Sequence, residues 1–464
     1  MSPPVVVLGG GITGLTAAYR LASAGAEVAL LERSDRLGGC IETGTMLGRP
    51  VEHGPDMFLG RVPWARELCT DLGLDDDLVN PATSAAHVWW QGRPHELPTD
   101  LVLGAPSKVM PLLRTGLLST GGALRAGLDL VRPRQRLGDD PAVGDLVRSR
   151  FGDQVCERLV DPLVGGINAG SADGLSAAAT APQLHSAAED SRSLLVGLRR
   201  QRSRAATTAS GPVFWSLRDG LGALVDRLAD EVRRSGVRIH LGDEATMLNP
   251  AGAGTLVQCE TGDVLASHVV AALPARSTAK LIGSTAPAAA DALRRVRSAS
   301  VAMVILAVDP ASLHRPPGGS GLLFPRVGED RLVTAVSFGS NKWPSWAGPD
   351  HVVLRASVGR FGHTRGLELD DDELVRSVAA ELAETIGLEG SPLAARVVRW
   401  IDAFPQYEPG HAARVADARR ALREELPGVE LAGASYEGLG IPACIRQGGE
   451  AAGRVLASMA ERQS

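Results

Sequence analysis

Apolar and polar positions follow two rhythms along the first fifty residues. Val5 to Leu8 is an unbroken apolar run, the mark of a strand covered on both faces. Beyond it, Leu15, Ala18 and Leu21 recur on one face of a helix, and a second apolar run, Ala29 to Leu31, closes at Glu32. Gly9, Gly11 and Gly14 punctuate the junction between the first strand and the helix. The pattern predicts strand, tight turn, helix and strand, the opening of a doubly wound α/β domain.

Later segments carry the same two periods. Residues 214–229 read as an amphipathic helix, leading through residues 237–241 to a strand at 243–248 that contains Ala245. Hairpins follow near AGAGT and ETGD, and residues 266–275 read as a buried strand ending in a turn at Pro274. SVAMVILAV (300–308), RLVTAVSF (331–338) and HVVLRASV (351–358) predict strands of a second sheet. A helix about four turns long is expected from near Pro442, since proline suits a first helical turn.

Composition narrows the function classes. The 464 residues are 44% hydrophobic and 22% charged, which describes an ordinary globular chain. Its net charge of −5 lacks the basic footprint of a nucleic-acid binder, so no nucleic-acid partner is expected. The five cysteines, Cys40, Cys69, Cys156, Cys259 and Cys444, form no CxxC pair, and the ten histidines show no metal-ligand spacing, so neither a disulfide framework nor a metal site is expected. The N-terminus lacks a basic signal region, and no run approaches the ~18 uncharged apolar residues of a membrane span, so a cytoplasmic location is expected. Ser435, in GASYE, lacks the GxSxG spacing of a hydrolase nucleophile.

The glycine turn carries the first candidate chemistry. Gly9 permits the tight turn, Gly11 lets backbone approach a pyrophosphate, and Gly14 with Ala18 lets the helix sit close to the strand. Phosphates would then face the free amides of Gly10, Ile12 and Thr13 at the helix start. Glu32 lies 18 residues past Gly14, near the ~20 expected for a carboxylate that accepts from a ribose hydroxyl. These residues alone leave NAD and FAD both open.

The succession GxGxxG…ExxxRxGG…EhGP, completed by Arg36, Gly38, Gly39, Glu52, Gly54 and Pro55, resembles the signature of the flavin amine oxidase superfamily. That resemblance implies FAD. It implies that Arg33 and Arg36 lie near the cofactor's ribose and pyrophosphate, and that Gly39, Cys40, Gly54, Pro55, Asp56 and Met57 line its path. Ala245 would set its backbone beside the adenine. Many members carry Arg or Lys where this chain has Cys40, so only a backbone contact is carried over there. The ending AGASYEGLGIPACIRQGG (432–449) places Ala434, Leu439, Gly440 and Ile441 as flavin contacts, with the helix start against the edge of the ring that gains charge on reduction.

That ending, together with GPDMFL (54–59) and ERLVDPLVGGINAGSADGLSAAATAPQL (157–184), is similar to the porphyrinogen oxidases within the superfamily. The resemblance implies an oxygen-dependent, six-electron aromatisation of a porphyrinogen, in three steps that yield three hydrogen peroxides, with no general acid or base named. Coproporphyrinogen III is the preferred substrate and protoporphyrinogen IX the alternative. A polyamine oxidase is the nearest other enzyme, and a flavin-free binder of the GDP-dissociation-inhibitor kind the alternative of another class. Arg192, Arg199, Arg200, Arg202 and Arg204 are candidates for the substrate's propionates, while His87 stands where some relatives use an arginine.

The implied architecture is a Rossmann-type FAD domain from residues 1–83, 212–280 and 412–464, a substrate domain from 84–100 and 290–411, and a helical insertion from 101–211. In relatives that insertion shapes the substrate entrance and can dock on a membrane. LLRTGLL (112–118) keeps peripheral membrane contact open here, with a core helix preferred. A downstream chelatase is a conceivable partner, and the oligomeric state is left unassigned.

Overall fold

A computed structural model describes the chain except for residues 1–2, 135–137, 209–210, 253, 316–317 and 464, and the side chains of 205–208 and 463. The opening prediction holds: strand Val5–Leu8, helix Ile12–Ser23 and strand Val28–Glu32 follow in order. Val5–Leu8 is buried along its whole length because it sits mid-sheet with helices on both faces, which is why its sequence does not alternate. Five parallel strands make this sheet, in the order Arg238–Leu241, Val28–Glu32, Val5–Leu8, His268–Ala271 and Val429–Leu431. Three distant stretches of chain therefore close over one nucleotide-type turn.

A second sheet has seven strands, ordered Ala394–Pro405, Ser298–Val308, Val352–Val358, Val333–Phe338, Gly321–Leu323, Ala86–Trp90 and Arg93–Glu96. Its pairs are antiparallel except for Gly321–Leu323 beside Ala86–Trp90. One face packs on helix Asp371–Ile386, which the Asp370 side chain caps at 2.8 Å and Gly387, at φ +69°, ends. Between the sheets' contributions, residues 110–208 form mostly short helices around their own apolar cluster.

Several expectations need correction. Residues 214–229 are not one helix: Phe214–Leu217 is a strand that pairs with Phe58–Leu59 and Leu78–Val79, and the helix starts only at Gly222. The apolar spacing was real, but Gly220, at φ +93°, breaks the segment in two. The terminal helix runs Ile441–Gln463, 23 residues rather than about four turns, because Gly448 and Gly449 sit inside it. A side chain at Gly448 would meet the Thr13 carbonyl, so this glycine serves close helix crossing and not termination. The expected strand at 266–275 is shorter, His268–Ala271, and Pro274 precedes a new helix, Ala275–Leu281. Of the turn at AGAGT, residue 253 lies outside the described residues. In LLRTGLL only residues 112–114 are helical, within the 3₁₀ turn Met110–Arg114 and not in the expected core helix, with Leu112, Leu117 and Leu118 buried and Leu113 exposed. Among the described residues no helix is long and apolar enough to cross a membrane.

Candidate cofactor channel

Backbone geometry accounts for the first wall. Gly9 has φ +99°, and a Cβ there would press on the Ala272 carbonyl, while one at Gly14 would fall inside the Gly9 carbonyl. Gly11 is different, since a Cβ there finds nothing nearer than the Gly39 Cα at 4.0 Å. Gly11 and Gly39 therefore border open space, and the Gly38 amide ties the two turns together by donating to the Gly10 carbonyl at 2.8 Å. Helix Ile12–Ser23 begins there with no side-chain cap, so its first amides remain available to an anion. Glu32 stands at the rim, its carboxylate accepting from the Gly10 amide at 2.6 Å and from the Ser34 amide and hydroxyl at 2.9 and 2.7 Å. Arg33 points outward, exposed. Arg36 turns back on its own loop, donating to the Gly39 carbonyl at 2.7 Å and pairing with Glu42 at 3.1 Å. Its fork is thus committed within the protein and holds the second glycine turn in place.

Residues 52–57 make the second wall. Gly54 lies so close to Cys40 that a Cβ would enter the Cys40 carbonyl, while the Cys40 side chain is exposed to the channel. Asp56 is buried and takes three donors from the second sheet's side of the molecule: Lys342, the Trp343 indole at 3.2 Å, and Arg355 at 3.4 Å. Burial pushes the Asp56 carboxyl up, but the Lys342 and Arg355 charges outweigh it and hold it at about 2. Arg355 also donates to the Gly54 carbonyl. Pro55 and Met57 are half-buried beside this cluster. Behind it Glu52 accepts from the Leu221 amide at 2.5 Å and the Thr43 hydroxyl at 2.9 Å. Burial dominates there and raises its carboxyl to about 7, against those hydrogen bonds and Arg355.

The third wall is the loop from Gly433 to Gly440 and the helix that follows. This helix crosses Ile12–Ser23 in close contact at Gly448, seven residues past Ile441, where a Cβ would meet the Thr13 carbonyl. Gln447 fixes the loop by accepting from the Gly433 amide at 3.3 Å and donating to the Gly438 carbonyl at 3.2 Å. Tyr407 reaches in from the end of the longest strand of the second sheet. Its hydroxyl donates to the Ala434 carbonyl and accepts from the Gly438 amide at 2.9 Å. Leu439 is half-buried and Gly440 exposed. Cys444 is buried, and burial lifts its thiol to about 11, so it packs as a small apolar residue.

Ala245 is carried to the rim by neighbouring backbone. The Gly242 and Asp243 amides donate to the Ser34 and Glu32 carbonyls at 2.9 and 3.1 Å, which sets the strand beginning at Ala245 beside the Glu32 corner. Of the expected cofactor residues, Arg33 is exposed and Arg36 is committed to its own loop. An elongated diphosphate ligand fits this channel on chemical grounds: uncapped amides at one helix start, a braced carboxylate at one end, and no side chain at Gly11 or Gly39. Sequence reading missed Lys342, Arg355 and Tyr407, which share no local motif with the residues they hold.

A family profile described as "Flavin containing amine oxidoreductase" matches residues 12–456. The chain is 35% identical over 455 residues to the coproporphyrinogen III oxidase of Bacillus subtilis, covering 96% of each. It is 37% identical over 460 residues to that of Mycobacterium tuberculosis, covering 98% of this chain and 97% of the relative. A crystal structure of an Exiguobacterium protein superposes with a TM-score of 0.88 over 99% of each chain, at 30% identity.

Proposed function

Because the chain belongs to the flavin containing amine oxidoreductase family, we propose that it is an FAD-dependent oxidase that converts coproporphyrinogen III to coproporphyrin III with molecular oxygen. The observation that carries the reading is the uncapped start of helix Ile12–Ser23 beside the bare turns of Gly11 and Gly39, with the terminal helix packed on Thr13 at Gly448. Relatives of near-equal length that share 35–37% identity and bear the coproporphyrinogen III oxidase name support the choice of substrate.

The turn from Gly11 to Thr13 holds the pyrophosphate on bare amides, while the Gly9 and Gly10 amides are spent on the Leu31 carbonyl and on Glu32, which accepts from a ribose hydroxyl. Ala245 borders the adenine. Gly39, Cys40 and residues 54–57 flank the ring system, and Ala434 and Leu439 to Ile441 present the terminal helix start to its pyrimidine edge. When bound, FAD would supply the hydride acceptor for each of three steps, and oxygen with a proton would regenerate it, giving hydrogen peroxide. The helix start favours the negative charge that reduction brings. Lys342, Asp56 and Arg355 fix residues 54–57, so the ring would be held by a wall with no slack. Each step removes a hydride from a bridge carbon and a proton from a pyrrole N–H. The conjugated pyrroles spread the cationic charge between the two events, so the protein's task is positioning and exclusion of water.

The test offers anaerobically prepared coproporphyrinogen III and protoporphyrinogen IX to the purified protein, admits oxygen, and follows porphyrin fluorescence. Coproporphyrinogen III is expected to react faster than its spontaneous oxidation and faster than protoporphyrinogen IX. Neither substrate exceeding its spontaneous rate would overturn the proposal.

A further inference from the structure

The candidates offered by sequence for the substrate's anionic arms are spent or misplaced. Arg192 donates to the Leu130 carbonyl at 2.9 Å, and Arg202 donates to the Thr99 carbonyl at 2.8 Å and pairs with Asp100. Arg199 and Arg200 lie on the outer face of helix Leu194–Thr208, exposed, and Arg204 has a partner of its own. A different arginine stands in a built site. Between helix Asp161–Asn168 and the second sheet lies a narrow cleft of about 30 Å³, walled by Ala169, Val301, Phe324 and Phe404 and bordered by Asp161 and Arg360.

Arg360 is half-buried at this cleft, yet its guanidinium makes no hydrogen bond or ion pair with any described residue. Asp161, the nearest acid, is already saturated: it accepts from the Ala172 amide at 2.8 Å, from the Ser171 hydroxyl at 3.3 Å and from Arg326 at 3.0 Å. Burial lowers the Arg360 pKa, with only the field of Asp161 opposing it among nearby acids. Withdrawing a guanidinium from water without a partner is costly, so such a group in a cleft calls for an anion. The chain also fixes its position. Residues 360–363 form a tight turn, with the His363 amide donating to the Arg360 carbonyl at 2.9 Å, and the Phe361 amide donates to the Ala169 carbonyl at 2.7 Å.

One stretch of chain serves both the cleft and the flavin-side loop. Phe404, one of its walls, lies three residues before Tyr407, which holds the loop at Ala434 and Gly438. Ile167 and Ile401, on the helix and strand that flank the cleft, are 51% and 62% exposed, an unusual solvent exposure for isoleucines beside a site. An apolar rim with one unpaired cation inside matches an apolar macrocycle carrying carboxylate arms.

We propose that Arg360 is a substrate-positioning residue that binds a propionate carboxylate of the porphyrinogen through its guanidinium fork. The proposal rests on the porphyrinogen reading above. A planar fork engages a carboxylate through two parallel hydrogen bonds and so fixes the arm's direction as well as its charge.

The experiment compares wild type with Arg360→Gln and Arg360→Lys. Flavin absorbance and thermal unfolding are recorded first, to show that each variant retains its cofactor and fold. Arg360→Gln is expected to raise KM for coproporphyrinogen III about tenfold, the loss expected from one charge-assisted pair, with kcat within about twofold. Arg360→Lys should recover part of that loss. In parallel, fluorescence titration of wild type is expected to show coproporphyrin III binding more tightly than its tetramethyl ester, a readout that needs no folded variant. An unchanged KM in a flavin-loaded Arg360→Gln, or equal affinity for acid and ester, overturns the proposal. A wild type that oxidises neither porphyrinogen instead overturns the functional reading, and the proposal falls with it.

Discussion

The two sides of the channel are built on opposite principles. On the first-sheet side, contact surfaces are backbone: Gly9, Gly11, Gly14 and Gly39 carry no side chain, and helix starts supply the polarity. On the second-sheet side the work falls to charged side chains with long reach, Lys342 and Arg355 onto Asp56 and Arg326 onto Asp161. A bare backbone suits a ligand whose phosphates are invariant. Arginines and lysines suit a boundary between separately formed layers, where register must be fixed after the layers meet. The difference also separates how each side should fail when altered.

The largest effect is expected on the backbone side. Gly14→Val would drive a side chain into the Gly9 carbonyl, which a packed strand cannot yield, at a cost of about 3 kcal/mol or more. The expected outcome is protein purified without flavin, read as the ratio of visible to ultraviolet absorbance. Retention of a full complement would show that the turn tolerates a shift the geometry forbids.

Next comes the charged side. Lys342→Met leaves Asp56 buried with Arg355 as its one remaining cation, and removal of one partner from such a pair costs about 3–5 kcal/mol. The wild-type cluster has a definite acid limit. The Asp56 carboxyl sits lower in the folded chain than its ordinary value, so its contribution is complete above pH ~3.9 and lost as pH falls through about 2. Denaturant unfolding of the variant at neutral pH should show the loss, and an unchanged midpoint would place the cluster's value elsewhere.

The smallest effect distinguishes Glu52 from Asp56, two buried acids four residues apart with opposite shifts. Glu52 is raised when folded, so its stabilising contribution is complete below its ordinary value of ~4.3 and declines as pH climbs to about 7. Glu52→Gln should therefore remove a decline in stability over that window, on the order of 2–3 kcal/mol. The check is the difference between unfolding free energies at pH 5 and pH 7.5 for variant and parent. An identical decline in both proteins would refute it.

The same contrast explains what could be read from the sequence. The glycine turn, Glu32 and the loop before Ile441 are each encoded within a dozen or so residues, because turns and helix starts obey local backbone rules. Arg360 and Lys342 owe their places to strand pairings that join segments far apart in the chain, and no spacing rule connects Lys342 to Asp56 across 286 residues. Arg36 shows the converse: its place in the motif was legible, but the direction of its side chain was set by Glu42 and the Gly39 carbonyl. The strand Phe214–Leu217 was hidden because its partners, Phe58–Leu59 and Leu78–Val79, come from another part of the chain. Four residues of helical spacing do not outweigh such a pairing.

A crystal structure of the yellow protein would test most directly whether one channel gathers these pieces around a single FAD. The expected density has its diphosphate on the amides of residues 11–13, its ribose at Glu32 and its pyrimidine edge at Leu439–Ile441. A ring bound away from Ile441, or a protein that carries FMN in place of FAD, would contradict it.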